Sequence, residues 1–137
     1  MPYEIYKVLH YLGLALLFTA LGGVALHGAN GGTKEDNKNR GLVAATHGIG
    51  LVLLLVAGFG MLAKTGRANP PPWAYIKIAI WMLMGGSLAI INRKPELAKV
   101  MWFVLPILAA VSGYVAISKP GELAAAPAAE TESQDVK

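Results

Sequence analysis

Cysteine is absent from the 137 residues. That single absence removes disulfides, thiolate metal sites, covalent c-type haem attachment and thiol redox chemistry. Charge is scarce as well, at 15% of residues against 55% hydrophobic. The long apolar runs contain no aspartate or glutamate. Paired-carboxylate chemistry within them is thereby excluded, and neither a nucleophile motif nor a phosphate-binding loop occurs elsewhere. The net charge of +4 comes from twelve Lys and Arg residues spread over loops and segment ends. With no long basic tract, nucleic acid is not an expected partner.

What is present in excess is apolar sequence, concentrated in runs long enough to cross a bilayer. A helix rising ~1.5 Å per residue needs about 20 apolar residues to traverse ~30 Å of hydrocarbon. Residues 5–26, 41–63, 73–92 and 97–117 meet that requirement. The expected fold is therefore all-α, an integral membrane four-helix bundle over residues 1–119, with the lipid bilayer as its principal partner. The first run lacks a basic leader and a small-residue cleavage site, so it reads as a retained span. After it comes "GANGGTKEDNKNR", a polar stretch that reads as a mobile loop. The second connection, "KTGRANPPP", is stiffened by prolines, and the third, "NRKPE", is a tight turn. Residues 120–137, rich in Ala, Pro and acid, read as an extended or disordered tail.

Four spans put both termini and the proline loop on one side, called here the terminal side, and the other two loops on the far side. The far side carries Lys34, Lys38, Arg40, Arg93, Lys94 and Lys99, against Lys7, Lys64, Arg67 and Lys119 on the terminal side. The excess of basic residues places the far side in the cytoplasm and the termini outside it, in a multi-pass protein of the cell inner membrane.

Small residues mark where helices approach: Gly13, Ala20 and Gly23, then Gly48, Gly50, Gly58 and Gly60, then Gly85 and Gly86. At ~100° per residue, Tyr6, His10, Gly13, Leu17, Ala20, Val24 and His27 share one face of the first span. Arg40, Ala44, His47, Leu51, Leu54, Gly58 and Met61 share one face of the second. Both faces are expected to turn inward, carrying His10 and His47 away from lipid. Pro106 is expected to kink the fourth span, with Ser112 or a neighbour helping to satisfy the freed carbonyl. Tyr3, Trp73, Tyr75 and Trp102 read as interfacial anchors, and Met82, Met84 and Met101 as packing residues.

Depth along the spans decides which polar groups can meet. His10 lies about 9 Å in from the terminal side and Lys77 about 6 Å in from the same side, so the two are nearly level. His47 enters from the far side by about 10 Å, leaving roughly 10 Å of vertical gap to His10. Bridging that gap with one haem requires tilted helices. His27 ends its span and reads as interfacial. Each inward group has two readings. For His10 the alternatives are a metal bond or a hydrogen bond to Tyr6, Tyr114 or a backbone carbonyl; for His47 they are the same in kind. Lys77 either snorkels to the headgroups or pairs with an acidic group of an apolar ligand.

The segments "KVLHYLGLALL", "ATHGIGLVLLLVAGFGML" and "WAYIKIAIWMLMGGSLAIINRKPE" together resemble the small four-span bacterial membrane proteins of the SirB type. They are similar also to the wider set that includes CopD-like proteins and the HemJ-type protoporphyrinogen oxidases. The resemblance covers residues 7–119 apart from the first loop, and His10, His47, Trp73 and Lys77 are its matching positions. HemJ-type similarity implies haem-dependent oxidation in tetrapyrrole synthesis with a histidine and a lysine as key residues, and CopD-like similarity implies copper passage. The leading expectation is a b-type haem or related tetrapyrrole held in the bundle for electron transfer or tetrapyrrole handling. Its candidate cofactor-binding residues are His10, His47 and Lys77, with His10 and His47 as axial metal ligands. The alternative is a non-catalytic accessory or assembly subunit whose glycine faces dock on other membrane subunits. A transporter would need a polar path or an inverted repeat, and neither is found.

Overall fold

The computed structural model describes residues 1–67 and 69–122. Four helices follow in order: α1 (Tyr3–Ala29), α2 (Arg40–Ala63), α3 (Pro72–Arg93) and α4 (Ala98–Ser118), the last entered through a 3-10 turn at Pro95–Leu97. No strand occurs among the described residues, and all four helices are long and apolar enough to cross a membrane. The expected all-α bundle of four spans is thus what the chain forms.

Helix ends follow from local chemistry. Pro72 occupies the first turn of α3, where a missing N–H costs nothing and a fixed φ favours the helix. At the other end Lys94 leaves helical geometry at φ −134°, as expected of a residue preceding proline. Its N–H still bonds Ile90 O at 2.8 Å. Gly66, at φ +71° just past α2, takes the left-handed conformation that ends a helix without a Cβ penalty.

Helix α1 is the hub. It packs against all three others, whereas α2 and α4 stand diagonally opposite and do not touch. Leu17, Leu21 and Ala25, all on α1, are almost fully enclosed, as are Ile91 of α3 and Ala98 at the start of α4. The inward face expected for α1 is confirmed: Gly13, Leu17, Ala20 and Val24 are buried, and Tyr6, His10 and His27 partly so. On α2 His47 and Leu54 are buried, while Ala44 and Arg40, at the far-side end, are exposed.

The tightest seam joins α1 to α2 at Gly13 and Gly50. A Cβ on Gly13 would lie 2.9 Å from Gly50 O, and a Cβ on Gly50 would lie 2.8 Å from Gly13 O. Each glycine thus aims a Cα–H at the other's carbonyl, a reciprocal contact that only glycine permits. With lipid offering no hydrophobic contrast, such close approach is how the pair gains packing. Gly58 and Gly60 serve the same seam by receiving the rings of His10 and Tyr6, and Gly85 faces Leu51. Three expectations fail: a Cβ on Gly23, Gly48 or Gly86 would meet no atom within 4 Å. Those residues face outward.

Pro106 lies on the exposed side of α4, which runs unbroken from Ala98 to Ser118. The first loop is folded into turns. Thr33 donates its N–H and its hydroxyl to Asp36 Oδ2 at 3.1 and 2.9 Å. Arg40 N–H then bonds Asn37 O at 3.1 Å. Of the tail, residues 120–122 fold back, with Gly121 against Pro72 and Glu122 paired with Arg67. The remainder of that expectation falls on residues 123–137, outside the described ones.

Candidate functional site

The polar groups within the spans gather in two places rather than one. Toward the terminal side, His10 on α1 donates Nδ1–H to Leu54 O of α2 at 3.0 Å, with its ring edge against Gly58. This is the backbone-carbonyl alternative foreseen for the ring. It fixes the tautomer, because a neutral imidazole donating from Nδ1 keeps its lone pair on Nε2. Nε2 has no hydrogen-bond partner among the described residues. Metal-binding histidines are commonly oriented in this way, with the second nitrogen held by a carbonyl.

Lys77 stands in the second turn of α3, at the same end of the bundle as His10 on α1. It falls in register with Ala74 and Met84, both buried, on the inward stripe of α3. The side chain is half-buried, and no carboxylate pairs with it among the described residues. Four residues earlier, on the same face, Trp73 holds its indole Nε1 fully buried and without a partner. Ser118 at the end of α4 likewise has an unpartnered buried hydroxyl. Trp73, expected as an interfacial anchor, is thus turned inward. A cation and two unpaired donors stand at this end of the bundle, where the buried carboxylate of Glu122 is already engaged by Arg67, and they leave room for an added acceptor or anion.

The second place is the α2–α3 seam. His47, only 6% exposed, donates from Nε2 to Met84 O at 3.4 Å. Trp81 returns the contact by donating Nε1–H to Leu51 O at 3.0 Å. Each helix therefore offers one ring to the other's backbone, which accounts for His47 as a structural residue. Trp81 was not singled out from the sequence. Its signal was available, since it lies on the stripe that begins with Trp73 and Lys77.

His10 and His47 do not meet. His10 touches α2 at Leu54, seven residues from His47, so about 10 Å of helix axis separates them. In this arrangement the two rings serve different seams, His10 bonded to Leu54 O of α2 and His47 to Met84 O of α3, and the structure does not bring the two expected ligands together as a pair. No group of three or more His, Asp or Glu side chains that could hold a metal ion occurs among the described residues.

His27 belongs to neither place. Its Nε2–H donates to Thr33 O at 2.8 Å, and Gly32 packs directly on its ring. The ring pins the first loop to the end of α1. Asp36 in that loop is held below the usual carboxylate range, first by the Thr33 N–H, then by the Thr33 hydroxyl, and further by the nearby His27.

No protein-family model matches the chain. Comparison with curated proteins and with solved structures likewise finds no relative.

Proposed function

We propose that this multi-pass membrane protein binds a b-type haem or related tetrapyrrole at the terminal side of the bundle, for electron transfer or tetrapyrrole handling. In this reading Nε2 of His10 is the metal ligand, Lys77 faces an acidic side chain of the macrocycle, and His47 remains a packing residue. The observation that carries it is the state of His10: Nδ1 is engaged by Leu54 O at 3.0 Å, and Nε2 is left with its lone pair, with the unpaired Lys77 at the same end of the bundle. A bound iron would supply one-electron exchange. The chain's part is to orient the imidazole, neutralise an acidic group and exclude water. The bias of basic residues supports an inner-membrane protein with its termini outside the cytoplasm.

A second reading, an accessory or assembly subunit, rests on a different observation. A Cβ at Gly22, Gly23, Gly48, Gly86 or Gly113 would meet nothing within 4 Å. These outward glycines would admit the close approach of helices from other membrane subunits.

The deciding experiment is the absorption spectrum of the detergent-purified full chain, expressed with haem supplied and then titrated with hemin. A b-type Soret band and reduced-state spectrum are expected, lost in His10→Ala, weakened in Lys77→Gln and kept in His47→Ala. A colourless protein that takes up no hemin, or a His10→Ala variant with an unchanged spectrum, overturns the proposal. Stoichiometric co-purification of such a colourless protein with another membrane subunit would establish the accessory role.

A further inference from the structure

At the far side, α3 ends at Arg93 and the chain reverses through Lys94 and the Pro95–Leu97 turn. The reversal leaves a groove of about 270 Å³ lined by Ala89, Ile90, Arg93, Lys94 and Leu97. Its floor is aliphatic, and its only charged members are the two cations. Neither has a carboxylate within 4 Å among the described residues. The nearest acid in sequence, Glu96, lines a separate cleft on the α1 side of the turn together with Lys99.

Position along the helix adds a second constraint. A span that ends at Arg93 puts the cations where hydrocarbon gives way to headgroups. From Ile90 inward, Gly86 and Leu83 continue the same exposed strip of α3. Gly86 leaves it indented, since a Cβ there would meet nothing within 4 Å. An aliphatic notch with two cations at its rim, set at headgroup level and continued by an apolar furrow along the span, has the shape of one lipid molecule.

We propose that this groove is a binding site for an anionic glycerophospholipid, its phosphate held between Arg93 and Lys94 and one acyl chain lying along Ile90, Gly86 and Leu83. Basic clusters at helix ends attract anionic lipid, each Lys or Arg near the surface contributing about a fivefold preference. The competing explanation is that Arg93 and Lys94 merely complement the carbonyl end of α3. That explanation requires no preference among lipids.

The absence of cysteine makes a single-label test clean. Met82→Cys, exposed on the flank of the strip rather than in it and labelled with a small fluorophore, lies eleven residues or about 16 Å inward from Arg93, within reach of bromines on the inner half of the acyl chain. The labelled full chain is reconstituted in vesicles of phosphatidylcholine. Quenching is compared as dibromo-acyl phosphatidylglycerol or dibromo-acyl phosphatidylcholine is mixed in. Phosphatidylglycerol is expected to reach half-quenching at about 25-fold lower mole fraction, fivefold for each cation. Arg93→Gln with Lys94→Gln should abolish the preference, and Lys64→Gln on the terminal side should retain it. A preference below threefold, or one that survives the double substitution, overturns the proposal. The first arm decides even if the double variant fails to fold.

Discussion

Replacing Gly50 by alanine tests whether the α1–α2 seam depends on backbone contact. The added Cβ would stand 2.8 Å from Gly13 O, 2.8 Å from Leu17 N and 3.2 Å from Leu17 Cα. All three are main-chain atoms, so no side chain can rotate away and the helices must part. Restoring an ordinary 3.4 Å contact from 2.8 Å requires a separation of about 0.6 Å, and van der Waals attraction falls steeply over such a gap. Overpacking of this kind costs about 1–3 kcal/mol, and a backbone obstacle argues for the upper half, about 2–3 kcal/mol. Alanine recovers up to about 1 kcal/mol through helix propensity, leaving a net loss of about 1–2 kcal/mol. Gly48→Ala supplies the control. It gains the same propensity without an obstacle, since nothing lies within 4 Å of its Cβ. The two variants should therefore differ by about 2–3 kcal/mol, a factor of roughly 30 to 140 in the unfolding equilibrium. Unfolding of the full-length variants in mixed micelles, followed by loss of helix on titration with a denaturing detergent, measures the difference. Gly13→Ala in combination should add less than its separate cost, because one separation of the helices relieves both clashes. Equal midpoints for Gly50→Ala and Gly48→Ala would refute the reasoning.

The other predictions use the same folded protein. Trp81→Phe removes the bond to Leu51 O and should cost about 1 kcal/mol. His47→Ala loses a longer bond and leaves a void, for about 1–3 kcal/mol; both are read from micelle unfolding, and no change in either would mean the α2–α3 seam is held otherwise. Lys77→Met removes a half-buried cation that has no carboxylate partner among the described residues. It should raise the stability of ligand-free protein by about 1 kcal/mol while lowering retention of a tetrapyrrole, an opposition that a merely snorkelling lysine would not produce. Asp36 has its folded pKa below that of a free aspartate, so its contribution to the loop is complete above the free value and disappears as pH falls through the lower folded one. Exchange of the Thr33 amide should accelerate, relative to its intrinsic rate, only in that acid window and should be fast at all pH values in Asp36→Ala. Protection unchanged by the substitution would show that the loop does not depend on the carboxylate.

Span number, span limits and inward faces were legible in the sequence because each depends on local physics. Hydrocarbon thickness sets the length of an apolar run, and the 3.6-residue period sets which side chains share a face. Hence the stripe from Tyr6 to His27 on α1 survives intact in the structure. Apolar character alone cannot separate a core-facing residue from a lipid-facing one, since lipid is as apolar as the core. Gly48 and Gly50 illustrate this. They are two residues apart and about 200° around one helix, yet one faces open space and the other the backbone of α1. Only the rotation and pairing of all four helices decided which glycines touch, which ring nitrogen of His10 stays free, and that His47 turns to Met84 rather than toward His10. Those outcomes are set by close packing between segments distant in the chain, and no single segment encodes them.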